Sequence, residues 1–444
     1  MKSEELHSKI LGLVSLIGLM GLWACSSDEV AEAPVSQHEL PMTVSASAVP
    51  YAEGEETRGI TRSWTAPEGY YLFNSLYSDY ENYEGVEHSV IDMFMTHDGS
   101  TLNTLNPLHV HLRYSPSVSS TSLWKLSLPT TVEADDVNEG NYYAYGFIPS
   151  DAADGASISL LTKENEGDPE PTYADGAVLT IHGLKAVAND PCVIIGAREG
   201  FSDHPEDPDH FENYDGSYTD ANGNHTYDEG TDTRTNRLRA GDFKFHLKKG
   251  TTGEPAVAKP NYLYFLFDHL YSALSISMRV NGDYHALRRI KLKRLYLKTK
   301  TTGDTTPEKT DVTITLRANN EGNNPISGDI TYTPSAGGET TDGRFYSNSE
   351  GFALTTEYSK FLGHFMPQGV STLILTSEYD VYDTNGNLIR KDCSATNTMK
   401  LSELFSRQEE SERGWKYHVN LTINPTYLYV LSEPDLDNPT VNVE

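Results

Sequence analysis

Alternation of apolar and polar residues restricts the fold of this chain more than any other feature. Residues 415–423 read Trp-Lys-Tyr-His-Val-Asn-Leu-Thr-Ile, so that every odd position is apolar and every even position is polar. Successive side chains of a β-strand point to opposite faces, and this pattern therefore predicts a strand with one face on a core. Helical spacing would scatter the same side chains. The residues expected to line the core are Trp415, Tyr417, Val419, Leu421 and Ile423.

The same period of two recurs at several places between residues 110 and 381. The apolar members of these runs are Val110, Leu112 and Tyr114; Trp124, Leu126 and Leu128; Leu274, Ile276, Met278 and Val280; Val312, Ile314 and Leu316; Leu373, Leu375, Tyr379 and Val381. We therefore expect a chain built mainly of short strands.

Local signals refine the pattern. In residues 290–297 the apolar phase slips by one residue at Lys293-Arg294, which predicts a β-bulge. Residues 383–387, Asp-Thr-Asn-Gly-Asn, predict a hairpin turn between two strands. Only residues 398–407 are predicted to form a short helix.

Many short strands with polar, Gly- and Asn-rich connections indicate an all-β chain of β-sandwiches. A length of 444 residues favours two domains. We place the break near residue 284, because residues 274–280 read as a closing strand and residues 281–283, Asn-Gly-Asp, as a turn. The predicted sandwiches cover residues 63–284 and residues 285–444.

The charge balance excludes some classes of partner. The chain has 64 Asp and Glu against 34 Lys and Arg, a net charge of −30. Nucleic acid and anionic lipid headgroups are therefore poor partners.

The N-terminal segment predicts export. Residues 10–24 form an uninterrupted apolar or small run, too short for a comfortable membrane span and typical of a signal-peptide core, so residues 1–24 are predicted to be a signal peptide. Cys25 ends a Leu-Trp-Ala-Cys sequence that resembles a bacterial lipobox, in which the thiol is lipidated. The acidic Ser26–Glu29 segment that follows resembles the tag of Bacteroidota lipoproteins exported to the outer-membrane surface. Residues 25–62 are predicted to be a lipidated, flexible tether that includes a candidate processing segment.

The remaining cysteines do not form a recognisable framework. Cys192 and Cys393 lie far apart in strand-like sequence, and a bridge would have to join two predicted domains. We expect two isolated, mostly buried thiols.

Motifs that carry chemistry are scarce. His109-Val110-His111 places two imidazoles on one face of a strand, a geometry that also serves zinc, but the sequence offers no recognisable third ligand. We therefore expect both rings to face solvent. Because the serine-hydrolase, zinc-protease, phosphate-loop and Cys-x-x-Cys motifs are absent from the sequence, the protein is predicted not to be an enzyme, and no cofactor or metal is predicted.

The acidic stretch of residues 203–232 contains oxygen side chains at alternating positions, as calcium loops do. The weak calcium candidates are Asp220, Asn222, Asn224 and Asp228. However, His225 stands where such a loop needs glycine, and Thr231 stands where it needs glutamate. A solvated loop is the favoured interpretation, with calcium as the alternative.

An ordered set of segments, together with the lipobox and acidic tag, is similar to the fimbrillin family of Bacteroidota. These segments are residues 142–149 (YYAYGFIP), 175–184 (DGAVLTIHGL), 265–274 (FLFDHLYSAL), 287–298 and 414–423. The resemblance implies two tandem transthyretin-like Greek-key β-sandwiches and a lipoprotein precursor. It also implies a shaft, tip or anchor subunit of an adhesive cell-surface fimbria.

The resemblance further implies assembly by strand exchange. In this family an arginine-specific protease removes the first strand, and a strand from a neighbour takes its place. The candidate cleavage residues are Arg58 and Arg62, and the candidate donor residues in the tail are Tyr427, Tyr429 and Leu431. The expected partners are other fimbrial subunits and outer-membrane lipid, with host or bacterial surface glycans or proteins as further candidates.

A different class of function stays open at this stage. A monomeric surface lipoprotein that binds glycans would need exposed aromatic rings, and tyrosines are frequent in residues 70–83 and 214–227. Size after processing separates the two hypotheses, because a fimbrial subunit forms polymers and a glycan binder does not.

Overall fold

The computed structural model describes most of the strand-rich part of the chain. The described residues are 38–49, 52–53, 90–98, 107–115, 123–162, 171–185, 190–199, 218–219, 233–234, 240–247, 261–301, 309–318, 330–334, 344–361, 365–405 and 408–423.

Nearly all regular structure in these residues is β, which confirms the predicted fold class. The strands are β1 (Glu39–Ala48), β2 (Ala52–Glu53), β3 (Val90–His97), β4 (Leu108–Ser115), β5 (Leu123–Ser127), β6 (Gly140–Ile148), β7 (Gly155–Ser159), β8 (Gly176–Lys185), β9 (Cys192–Glu199), β10 (Tyr218–Thr219), β11 (Thr233–Arg234), β12 (Lys244–Leu247), β13 (Asn261–His269), β14 (Ser272–Val280), β15 (Arg289–Thr301), β16 (Lys309–Arg317), β17 (Ile330–Pro334), β18 (Arg344–Ala353), β19 (Ser359–Phe361), β20 (Phe365–Met366), β21 (Val370–Tyr382), β22 (Leu388–Lys400) and β23 (Trp415–Ile423). The helical segments are the α-helices Gly282–Leu287 and Leu401–Leu404 and the 3-10 turns Ala134–Asp136 and Ser150–Ala152.

Two hydrophobic cores organise the sheets. The first lies between a sheet of order β12-β6-β3-β4-β5-β1-β13-β9 and a four-stranded sheet of order β17-β16-β8-β7. Pairing of β6 with β9 joins the larger sheet into a closed ring of seven strands. The second core lies between the sheet β19-β14-β23-β2, with β20 beside β14, and the sheet β18-β15-β21-β22. The transthyretin-like Greek-key description of each unit stays a prediction.

The clearest sequence pattern is confirmed in β23. Tyr417 and Val419 are buried in the second core, and the other odd-numbered residues of the strand pack against it. The even-numbered residues from 418 to 422 are exposed. Alternating burial also appears in β16, where Val312, Ile314 and Leu316 are fully buried.

The predicted bulge and hairpin are both present. The register of β15 against β18 and against β21 shifts between Leu292 and Arg294. Between β21 and β22, the Asp383 carboxylate accepts hydrogen bonds of 2.8 Å from the backbone N–H groups of Asn385 and Asn387, which closes the turn. The predicted helix is shorter than expected, because only Leu401–Leu404 is helical and residues 398–400 continue β22.

The predicted domain break near residue 284 is not where the two cores divide. Strands β16 and β17, which follow that position, pair with β8 and belong to the first core. The change of core falls within β14, where Ala273 packs in the first core and Leu274 in the second. Alternation shows which residues are buried, but it does not show which sheet buries them.

Strand β14 also differs from the half-exposed pattern expected of it. Ser275 and Ser277 are buried along with the alternating Leu274, Ile276 and Met278. His418 covers their face of the sheet, with Nδ1 2.6 Å from the Ser275 hydroxyl and Nε2 3.3 Å from that of Ser277. Both faces of β14 are therefore enclosed.

The alternation in β23 leads to a stability prediction. Val419→Asp places a carboxylate in the second core and is expected to lower the free energy of unfolding by at least about 3 kcal/mol. Asn420→Asp adds the same charge at the next residue, which lies on the exposed face. Asn420 Oδ1 is 3.0 Å from His418 Nε2, and an aspartate oxygen can take the same position. Urea unfolding should show almost no change for this control. Equal effects of the two variants would contradict the one-sided burial of β23.

Candidate functional site: the seat of strand β1

Strand β1 lies inside the large sheet of the first core, not in a flexible tether. Its residues Met42–Ala48 run parallel to Asn261–Phe267 of β13, and Glu39–Met42 run antiparallel to Trp124–Ser127 of β5. This corrects the expectation that all of residues 25–62 form a linker. Because β1 separates β5 from β13, it satisfies the backbone donors and acceptors on the facing edges of both strands.

The side chains of β1 alternate as those of a core strand do. Met42, Val44 and Ala46 are buried, at positions two residues apart, and Val49 continues into the same core after the strand ends. In the register, Met42 stands beside Trp124, Val44 beside Leu263 and Ala46 beside Phe265. The polar residues between them and the proline at position 41 hid this pattern in the sequence.

Both ends of β1 are fixed by specific hydrogen bonds. Before the strand, His38 accepts a bond of 2.8 Å from the backbone N–H of Leu128 and places Nδ1 2.8 Å from the Val132 carbonyl oxygen. After it, the Val49 N–H donates to the Phe267 carbonyl at 2.9 Å. No short turn connects β1 to its parallel neighbour β13, so these contacts are what fixes the two ends of the strand.

A buried polar cluster holds the C-terminal end of β1. His269, at the end of β13, donates through Nε2 to the Val49 carbonyl oxygen at 2.7 Å. Its Nδ1 lies 2.8 Å from Asp190 Oδ2 and 3.4 Å from Cys192 Sγ, and all three side chains are buried.

Burial in this cluster raises the pKa of the Cys192 thiol well above its usual value, and the charges of Asp190 and Asp268 raise it further. Cys192 therefore stays a neutral thiol, which is poorly reactive. Cys192 and Cys393 are both free, as predicted; Cys192 is buried as expected, whereas Cys393 is partly exposed.

The same end of β13 contacts the second core. The buried Asp268 carboxylate accepts a hydrogen bond of 2.9 Å from Arg413 Nη1, which also donates to the His269 carbonyl oxygen. Arg413 lies just before β23. Strand β2, three residues after Val49, pairs with the start of β23 through Ala52 and Glu53. The N-terminal segment therefore contacts both cores.

Several residues predicted from the sequence lie outside the described part of the chain. They are Cys25, Arg58, Arg62, Asp220, Asn222, Asn224, Asp228, Tyr427, Tyr429 and Leu431. Their proposed roles stay predictions. Among the residues that the structure does describe, no helix is long and apolar enough to cross a membrane.

Comparison with solved structures gives several weakly similar proteins of Bacteroidota. A candidate cell adhesion protein from Bacteroides uniformis is 12% identical with a TM-score of 0.27, and the match covers 76% of this chain and 86% of that protein. A second candidate cell adhesion protein, from Bacteroides ovatus, is 9% identical with a TM-score of 0.25, and the match covers 86% of this chain and 91% of that protein. The fimbrial anchor protein Mfa2 from Porphyromonas gingivalis is 11% identical with a TM-score of 0.21, and the match covers 81% of this chain and 82% of that protein. No family model and no curated protein matches the chain.

The contact between His269 and Val49 leads to a second prediction. His269→Leu removes the donor to the Val49 carbonyl and a partner of Asp190, and it should loosen the end of β1. The backbone amides of residues 42–48 are expected to exchange with solvent about tenfold faster or more. His246→Leu, on β12 of the same sheet, is the matched control, because that half-exposed ring lies 3.0 Å from Asn141 Oδ1 and 3.9 Å from the exposed Glu139 carboxylate. Unchanged exchange in His269→Leu would show that this cluster does not hold β1.

Proposed function

We propose that this protein is a subunit of an adhesive cell-surface fimbria, exported as a lipoprotein and assembled by strand exchange. The observation that carries the proposal is that β1 lies between β5 and β13 and pairs with both strands. Arg58 and Arg62 follow β1 and β2 in the sequence and precede every other described strand. A cut at either arginine therefore leaves β1 attached to the remaining chain by non-covalent contacts alone.

Departure of β1 would open a groove suited to another strand. The edges of β5 and β13 would each present unpaired backbone groups, which are a template for strand addition. The floor of the groove would be apolar, because Trp124, Leu263 and Phe265 lie beside the inward side chains of β1. Such a surface is costly to leave in water, so replacement of the strand is favoured over an empty groove.

The tail of the chain has the pattern that a donor strand needs. Tyr427, Tyr429 and Leu431 are spaced two residues apart, as Met42, Val44 and Ala46 are in β1. Pro434 limits the length of the strand, because proline cannot donate to a ladder. The tail side chains are larger than those of β1, so we expect the groove to widen around the Ala46 position when the donor enters.

The lipid anchor is tested separately from assembly. Acylation of Cys25 would hold the precursor at the outer membrane, because each buried methylene contributes about 0.8 kcal/mol. Cys25→Ala should move the protein from the membrane fraction into the soluble fractions, whereas Cys393→Ala should leave it in place. If Cys25→Ala remains with the membrane as firmly as the parent, the protein is not a lipoprotein.

Cleavage and polymerisation test the assembly proposal. Incubation of the purified precursor with an arginine-specific protease is expected to cut within residues 58–62, and ladders of multimers should then form in native electrophoresis. The double variant Arg58→Lys, Arg62→Lys keeps the charges and should be neither cut nor polymerised. Deletion of residues 425–444 should leave the cut intact and abolish the ladders.

A competing peptide makes this test specific for the groove. Excess peptide with the sequence of residues 39–49 should suppress the ladders by refilling the seat of β1. The same peptide with Met42→Asp and Val44→Asp should not, because both substituted side chains would enter the core. A cut chain that stays monomeric in every condition contradicts the shaft role and leaves an anchor, a tip or a monomeric glycan binder.

A further inference from the structure

A histidine pair and a carboxylate meet on the outer face of the first core. Asp92 of β3 stands directly opposite His111 of β4, and His109 lies one position along the same face. The alternate residues of β4, Val110 and Leu112, are fully buried on the other face. The sequence revealed the two histidines but not Asp92, which lies on a different strand.

The three side chains form a shallow cup with a buried base. Asp92 Oδ1 is 2.5 Å from His109 Nε2, and Asp92 Oδ2 is 3.6 Å from His111 Nε2. The Asp92 side chain is 4% exposed, whereas those of His109 and His111 are 39% and 34% exposed. One ligand atom from each of the three residues lies within 4.8 Å of the others. The cup is therefore open to solvent on its histidine side.

The base of the cup is the buried carboxylate of Asp92. Ser150 Oγ approaches Asp92 Oδ2 at 3.4 Å from the 3-10 turn behind it. A carboxylate oxygen and imidazole nitrogens are ligand types that zinc accepts in proteins.

The arrangement also restricts how the rings move. The His109 ring stacks on Phe94, with ring centroids 4.4 Å apart and an angle of 12° between the planes. The centroids of the two histidine rings lie 5.0 Å apart. The backbone pairing of β3 with β4 fixes the spacing of all three residues, so that the ligand set is largely formed before any ion arrives.

We propose that Asp92, His109 and His111 bind one divalent transition-metal ion of the zinc class. Bonds of about 2.0–2.1 Å to a tetrahedral ion place ligand atoms about 3.3 Å apart, and small rotations of the half-exposed rings reach this spacing. Two imidazoles and one carboxylate leave one position for water. This ligand set suits zinc and its neighbours more than calcium or magnesium, which need more oxygen ligands. The net charge of −30 also favours cations near the surface.

Titration calorimetry of the purified, chelator-treated full chain with Zn²⁺ tests the site. The parent should bind one more equivalent of Zn²⁺ than His109→Gln or His111→Gln does. If the variants still bind that ion, the parent should bind it at least about tenfold more tightly. His182→Gln is the matched control. This exposed ring lies on the four-stranded sheet of the first core, away from the cup, and its Nε2 is 3.1 Å from the hydroxyl of Ser157 on the neighbouring strand. The control variant should bind as the parent does. Both test residues are partly exposed, and circular dichroism should show that the variants fold normally.

Two further measurements separate this site from other zinc contacts. Co²⁺ should give tetrahedral absorption bands that the parent and Cys192→Ser share and the His109 and His111 variants lose. Zn²⁺ should raise the unfolding temperature of the parent and not that of the two variants. The proposal is overturned if the parent binds neither ion, or if His109→Gln and His111→Gln bind both as the parent does. In that case the cluster is a hydrogen-bonded Asp–His pair without a metal.

Discussion

A sheet cannot leave rows of backbone donors and acceptors unpaired inside a protein, and β1 meets this requirement for β5 and β13 at the same time. Without β1, the ring β6-β3-β4-β5-β1-β13-β9 would be open at one place, and the first core would lose Met42, Val44 and Ala46 together. The remaining strands of the ring are paired independently of it. Closure of the ring of strands around the first core therefore depends on one N-terminal strand.

The end of β13 extends this dependence to the second core. His269 contacts the residue after β1, and the neighbouring Asp268 pairs with Arg413, just before β23. Removing one partner of a buried ion pair typically destabilises by about 3–5 kcal/mol, because the other charge stays buried. These two adjacent residues therefore couple the seat of β1 to the unit that β23 completes.

The sequence predicted local structure well where one face of a strand is exposed to solvent. The alternation in β23, the bulge beside Lys293 and the hairpin at residues 383–387 depend on neighbouring residues alone, and all three are present. The placement of β16 in the first core depends on contact with β8, more than a hundred residues away, and no local pattern encodes it.

The candidate sites were harder to predict for related reasons. Strand β1 mixes serine, threonine and proline with few large apolar residues, so it resembled a linker although a groove receives it. Asp92 sits in a strand whose two faces are both covered, so its pairing with His109 and His111 required the register of β3 on β4. The residues of the proposed lipidation, cleavage and donor segments lie outside the described part of the chain.

The parallel direction of β1 and β13 also has a mechanical consequence. The two strands start at the same end of the sheet, and β13 continues from its far end into β14 and the second core. Suppose that one force pulls on the N-terminus of β1 and an opposing force pulls on the second core, and so on the C-terminal end of β13. The two forces then act along the paired strands in opposite directions. Such shear loads the hydrogen bonds of the ladder together, whereas peeling from one end breaks them in succession. A chain tethered at its N-terminus and cut after β1 would resist detachment through this shear geometry, because the covalent link that held β1 before the cut is gone.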